Sequence, residues 1–161
     1  ENIILGYATA QTLNLSGGNI GQCQVAISGN QVEVPNATWT EVLWDAETLD
    51  SNGWHSTSVN PARITVDAGG AYLIVAGVCW DTNGTGERYL SVTKNGTVVT
   101  GTALSQANAV PLAAVNTRMQ ITTLATLAAG DYIEVSVYQT STGLLDILEH
   151  TSTFCSVYRI Q

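Results

Sequence analysis

Apolar residues in this chain fall in short runs that alternate with polar ones at a period of two, and clusters of Gly, Asn, Asp, Ser and Thr separate the runs. Alternation of that kind builds half-buried β-strands, and many short strands in series build an antiparallel sandwich or barrel. Strands are expected at 22–28, 31–34, 38–44, 63–66, 70–80, 87–94, 97–104, 119–127, 131–139 and 154–160. Asn95-Gly96 suits a two-residue type I′ turn, where both central positions need positive φ, and predicts a hairpin joining 89–94 to 97–102. Other breaks are Ser28-Gly29-Asn30, Asp67-Ala68-Gly69-Gly70, Asp81 to Gly86 and Ala128-Ala129-Gly130-Asp131. The stretch 103–115 is the best helical candidate, but Pro111 interrupts it, so it reads as a strand plus a connection.

At 161 residues the chain has room for one domain. Residues 1–35 differ in texture from the rest and are expected to form an N-terminal arm or additional strands, with an arm favoured, leaving 36–161 as the sandwich domain. Five Lys+Arg against 13 Asp+Glu give a net charge of -8, which repels phosphate and excludes a nucleic-acid partner. Charged residues make up only 11% and hydrophobic ones 45%, with mean hydropathy +0.14. A soluble monomer usually carries about 25% charge, so uncharged surface is expected to be hidden by self-association. No run approaches the ~18 apolar residues of a membrane span, so no membrane insertion is expected. The opening Glu1-Asn2-Ile3 lacks the basic start of a secretory signal, and a first residue other than Met is read as a processed or trimmed product.

Candidate chemistry is sparse. Cys23, Cys79 and Cys155 form no metal or redox spacing; they read as buried hydrophobes, with a Cys79–Cys155 bridge as the alternative. His55 and His150 read as surface histidines, and no Gly-x-Ser-x-Gly elbow accompanies them. Asp45, Glu47, Asp50, Asp146 and Glu149 read as solvated loop charge rather than a glycosidase pair. Asp81-Thr82-Asn83-Gly84-Thr85-Gly86-Glu87 offers oxygen ligands on a Gly-rich turn, as a calcium loop does, without the 12-residue spacing of an EF-hand. An ordinary turn is the expected reading. Ser16-Gly17-Gly18-Asn19-Ile20-Gly21 lacks the Lys of a phosphate loop and reads as a flexible connection. Sites of the form N-x-Ser/Thr begin at Asn14, Asn36, Asn83 and Asn95. Neither a catalytic residue, a metal nor a cofactor is expected, and the chain is read as no enzyme.

From Trp39 onward the order of features resembles the globular heads of the complement and tumour necrosis factor superfamily. Trp39-Thr40-Glu41-Val42 and Asp50-Ser51-Asn52-Gly53-Trp54 are similar to that family's first strand and a loop that anchors an aromatic residue. The stretch from Ile64 to Ile74 is similar to "F-x-V-x-x-x-G-x-Y-x-F", with Ile64 and Ile74 where Phe is usual. Leu90 to Gly96 resembles a strand ending in Lys-Asn-Gly, Leu127 to Val135 resembles "L-x-x-G-D-x-V-x-V", and Phe154 to Ile160 resembles the terminal strand of the trimer core. The resemblance implies an all-β, jelly-roll β-sandwich of about ten antiparallel strands that forms a homotrimer. No collagen-like stalk is present, so the complement or cytokine function is not carried over. The texture is most like tailed-phage virion proteins.

That resemblance implies a non-enzymatic viral structural protein: a trimeric capsid decoration or cement protein, or a fibre head, located on the virion. Major capsid protein or a fibre or tail protein is then the expected partner. Its trimer interface is expected at Tyr72, Tyr132, Tyr138, Phe154 and Tyr158, since large amphipathic rings suit a partly wet interface. The alternative is a trimeric carbohydrate- or receptor-binding module, with Trp44, Trp54, Trp80 and Tyr89 as exposed platforms for a cell-surface glycan. A spore-surface or extracellular jelly roll is a further alternative.

Overall fold

Two antiparallel sheets face each other across one apolar core in the computed structural model, which describes residues 21–160. In chain order the strands are β1 (Gln22–Ala26), β2 (Gln31–Val34), β3 (Thr40–Glu41), β4 (Ala46–Asp50), β5 (Arg63–Thr65) and β6 (Gly70–Trp80). They continue as β7 (Arg88–Lys94), β8 (Thr102–Ala109), β9 (Thr117–Leu127), β10 (Tyr132–Gln139), β11 (Leu145–Ile147) and β12 (Phe154–Arg159). A seven-stranded sheet runs β2-β11-β6-β12-β1-β4, with β9 along the other edge of β6. The five-stranded sheet runs β3-β10-β7-β8, with β5 also on β10. No helix occurs among the described residues. The all-β sandwich expected from the period-two pattern is the fold observed.

The alternation decides which side chains meet. Ile133, Val135 and Val137 on β10 and Leu90 and Val92 on β7 face Tyr72, Ile74, Ala76 and Val78 on β6, and all are buried. Cys155 and Val157 of β12 and Cys23 and Val25 of β1 extend the same layer. Burying each large aliphatic side chain stabilises the sandwich by about 1.5–3 kcal/mol relative to leaving it exposed.

Several expectations shift. Asn95 and Gly96 both have positive φ, 56° and 139°, yet they do not close a two-residue hairpin. Lys94 pairs with Thr102, and the segment between them folds into a second turn in which the Thr97 carbonyl accepts from Thr100 N at 3.1 Å and Gly101 N at 2.7 Å. The strand expected at 97–104 therefore lies at Thr102–Ala109, because this turn consumes the β-branched residues that suggested it. β4 was not expected, as Glu47, Thr48 and Leu49 are all exposed and show no alternation on this edge strand. β11 was missed because three residues are too few to show a period. Within the first 35 residues, β1 lies between β12 and β4, and β2 pairs with β11; the rest of the expected arm, residues 1–20, lies outside the described residues.

Candidate functional site

The outer face of the seven-stranded sheet carries a charge-free patch, bounded on β9 by exposed Arg118. Register places Gln22, Tyr158, Leu73 and Leu124 in one row across β1, β12, β6 and β9. Parallel rows hold Gln24, Ser156, Val75 and Thr122, then Ala26, Phe154, Gly77 and Gln120. Leu49 of β4 extends the middle row beside Gln24. None of these residues carries a charge at neutral pH. Leu73, Val75, Phe154 and Tyr158 are half-buried, and Leu124 is 66% exposed. Alternate residues Ile74, Ala76, Cys155 and Val157 point to the core, so the strand pleat itself sets this apolar outward parity.

Of the five residues expected at a trimer interface, Phe154 and Tyr158 lie on this patch and the other three do not. Tyr72 has core parity on β6: it is fully buried, donates its hydroxyl to the Ala68 carbonyl at 2.6 Å and packs edge-on to Trp54 with ring centres 5.7 Å apart. Tyr132 and Tyr138 lie on β10, in the opposite sheet. Trp44, Trp54 and Trp80 also need correction as exposed platforms, since all three are core residues with at most 3% exposure. Trp54 is seated by its own loop. Asp50 accepts the backbone N–H groups of Trp54 and His55, Gly53 takes φ 69°, and Trp54 Nε1 donates to Asp67 at 2.9 Å. That loop geometry drives the indole inward.

Tyr89 is the one proposed platform residue that stays half-exposed, and it does not stand alone. It pairs across strands with Tyr138, ring centres 5.6 Å apart, and Trp39 lies 6.2 Å from Tyr89 and 5.3 Å from Tyr138. Trp39, read in the sequence as part of the first strand of the resemblance, was not among the expected platform residues; the register of β3 on β10 brings it beside Tyr138. The Tyr89 hydroxyl donates to Glu87, and this bond, before any burial, raises the phenol above its ordinary pKa.

On the outer face of the five-stranded sheet, β5 and β10 hold an ion pair whose carboxylate is buried. Arg63 and Glu134 are register partners, with Nε donating to Oε1 at 2.8 Å; Glu134 is 1% exposed and Arg63 39%. The bond to Glu134 raises the Arg63 pKa and keeps its charge. Arg63 also lies over the Tyr132 ring, 4.2 Å from its centre. Burial and the neighbouring Glu134 carboxylate push Glu41 above the usual carboxylate range, with Arg63 opposing them. Two recesses, of about 280 and 180 Å³, meet at Arg63 and Asn60.

The Gly-rich turn from Asp81 to Glu87 presents its carbonyls to a side chain of this chain. Fully buried Arg88 donates to the carbonyls of Asn83 and Thr85 at 2.9 Å and of Glu87 at 3.1 Å. The cysteines are free thiols and all buried, so no Cys79–Cys155 bridge exists. His55 is not a surface residue: its ring is enclosed, with Nδ1 2.9 Å from Glu47 Oε1 and Nε2 3.0 Å from the Pro61 carbonyl. His150 is half-buried, and its Nδ1 accepts Ser152 N at 2.9 Å.

No family model and no curated protein sequence matches the chain. Solved structures do. Murine APRIL at pH 5.0 superposes with TM-score 0.66 at 15% identity, covering 88% of this chain and 99% of that one. The globular domain of zebrafish complement 1qA protein gives 0.64 at 12%, covering 88% and 98%. Eiger TNF from S. frugiperda gives 0.61 at 13%, covering 88% and 93%. The fold is that of the tumour necrosis factor and complement globular heads.

Proposed function

We propose that this chain is a non-enzymatic assembly domain that works as a homotrimer, with the outer face of the seven-stranded sheet turned toward the other copies. The observation that carries this reading is the charge-free surface from Gln22 to Leu124, where Leu73, Val75, Phe154 and Tyr158 lie half-buried with Leu124 exposed beside them. Such a surface gains from leaving water, and closed symmetry repeats every contact in each copy. The sequence resemblance supports three as the number of copies, and the virion as the setting. There the trimer decorates a capsid or caps a fibre, with capsid or fibre protein beneath it.

Light scattering after size exclusion tests the assembly. A mass three times the 17.0 kDa of the chain is expected at micromolar concentration. A monomer at that concentration overturns it. Co-sedimentation with purified empty capsids tests the setting, and absence of binding there removes the decoration role. The alternative of a carbohydrate-binding module is favoured by one feature of the other sheet, the recess beside Arg63.

A further inference from the structure

The Arg63 guanidinium is held on two sides and open on the third. Nε is fixed to Glu134 Oε1 at 2.8 Å, the planar group stacks over Tyr132, and no hydrogen bond among the described residues engages Nη1 or Nη2. An arginine so fixed has already lost most of its rotamer freedom, so less is lost when a ligand binds it. Its neighbourhood is polar and concave. Thr65, Asn60, Ser56 and Tyr132 line the recess of about 280 Å³ with it. The adjoining recess of about 180 Å³ reaches Glu134, whose Oε2 is buried without a partner.

We propose that this double recess binds a carboxylated sugar, its carboxylate on the Nη1/Nη2 edge of Arg63 and a hydroxyl directed toward Glu134. The forked edge of a guanidinium matches the two oxygens of a carboxylate. Glu134 already opposes the Arg63 charge and Glu41 lines the adjoining recess, so the site admits a monoanion at most and not a doubly charged phosphate. A buried acceptor without a donor calls for a ligand that also brings hydroxyl groups, which a sugar acid does and a simple carboxylate does not. The volume is near the lower end of small-molecule sites, about 300–1,000 Å³, the scale of a single sugar ring. With a net charge of -8, the chain repels anions broadly, and selection falls to this one locally fixed cation. The inference does not rest on the assembly reading, because it concerns the other sheet.

The test is an NMR titration of the full chain with N-acetylneuraminic acid and glucuronic acid, their methyl esters, glucose and inorganic phosphate. Both acids are expected to shift the amide signals of Arg63, Thr65 and Tyr132 in a saturable way. The esters should bind at least about tenfold more weakly, the loss that one charge-assisted hydrogen bond corresponds to. Arg63→Lys keeps the charge but loses the fork, and should weaken the acids by about tenfold. Because any change at Arg63 disturbs buried Glu134, Tyr132→Leu is the second variant; it leaves the ion pair intact, loosens the guanidinium and should weaken the acids while the fold persists. Equal affinity for acid and ester, or shifts confined to other residues, overturns the site. Phosphate binding as tightly as the acids overturns the sugar assignment. Light scattering on the same samples reports on the trimer separately.

Discussion

Asn95 and Asp131 clasp each other across the end of the sandwich: Asn95 Nδ2 donates to Asp131 Oδ1 at 2.7 Å, while Asn95 Oδ1 accepts Tyr132 N at 2.9 Å. Lys94 reaches the second Asp131 oxygen at 2.6 Å, and Ala128 N donates to that oxygen at 2.7 Å. Two separate sequence motifs, Lys-Asn-Gly and Leu-x-x-Gly-Asp, are therefore halves of one clasp joining the turn after β7 to the start of β10.

This clasp sets an acid dependence. The Asn95 bond, then Lys94 and the Ala128 amide, hold the Asp131 carboxyl down to about 2, against an ordinary value of 3.8. A carboxylate with a depressed folded-state pKa contributes stability above its unfolded value and loses that contribution as pH falls through the folded one. The window is thus about pH 4 to 2. Thermal melts across it should show Asp131→Asn less stable than the parent at pH 7, with the difference shrinking toward pH 2. A gap that stays constant with pH would falsify the charge account.

Arg88 offers a second test. Three backbone carbonyls of the turn from Asn83 to Glu87 accept from its fully buried guanidinium. Each buried acceptor left without a donor costs about 1–3 kcal/mol. Arg88→Met should therefore lower the stability by about 3 kcal/mol or more, measured by urea unfolding. Arg118→Met, at an exposed position, should change it by less than about 0.5 kcal/mol.

The period-two pattern made most of the sheet legible, because β6, β7, β9 and β10 are long enough to alternate several times. Sites were less legible, for a reason specific to aromatic residues. A Trp in a loop reads the same whether it faces water or core, and the hydrogen bonds of Asp50 and Asp67 that turn Trp54 inward come from separate segments. Tyr72, Tyr132 and Tyr138 share a residue type, yet strand parity sends one to the core and two to the far face. Arg63 and Glu134 are 71 residues apart and meet only through the register of β5 and β10.

The thiols carry a third expectation. Burial, then Asp50 and Glu47, pushes the Cys23 thiol up to about 12, and burial pushes Cys155 higher still. Thiolate is the reactive form, so iodoacetamide at pH 8 should leave Cys23 and Cys155 unlabelled in the native protein and alkylate both in urea. A raised folded-state pKa contributes stability that is complete below the unfolded value near 9.0 and fades as pH rises through the folded one. Urea midpoints should accordingly fall between pH 9 and 11, and Cys23→Ala should flatten that fall.

The charge-free patch gives the most direct prediction about assembly. Leu73 and Leu124 are register partners that point outward, so an Arg in place of Leu73 can reach water in an isolated chain and leaves the core layer untouched. In a closed assembly the same Arg is pressed against apolar neighbours, once in every copy. Burying a polar group without a partner costs about 1–3 kcal/mol by protein mutational data, and an unpaired charge costs more. Each copy should then weaken association by at least about tenfold, which compounds through the symmetry. Leu73→Arg should give a monomer by light scattering with an unchanged far-ultraviolet spectrum. Val59→Arg supplies the control: Val59 is 67% exposed on a loop away from this face, so its substitution should leave the mass unaltered. If Leu73→Arg instead retains the assembled mass, the copies meet through some other surface, and the outer face of the seven-stranded sheet is free to contact a different partner.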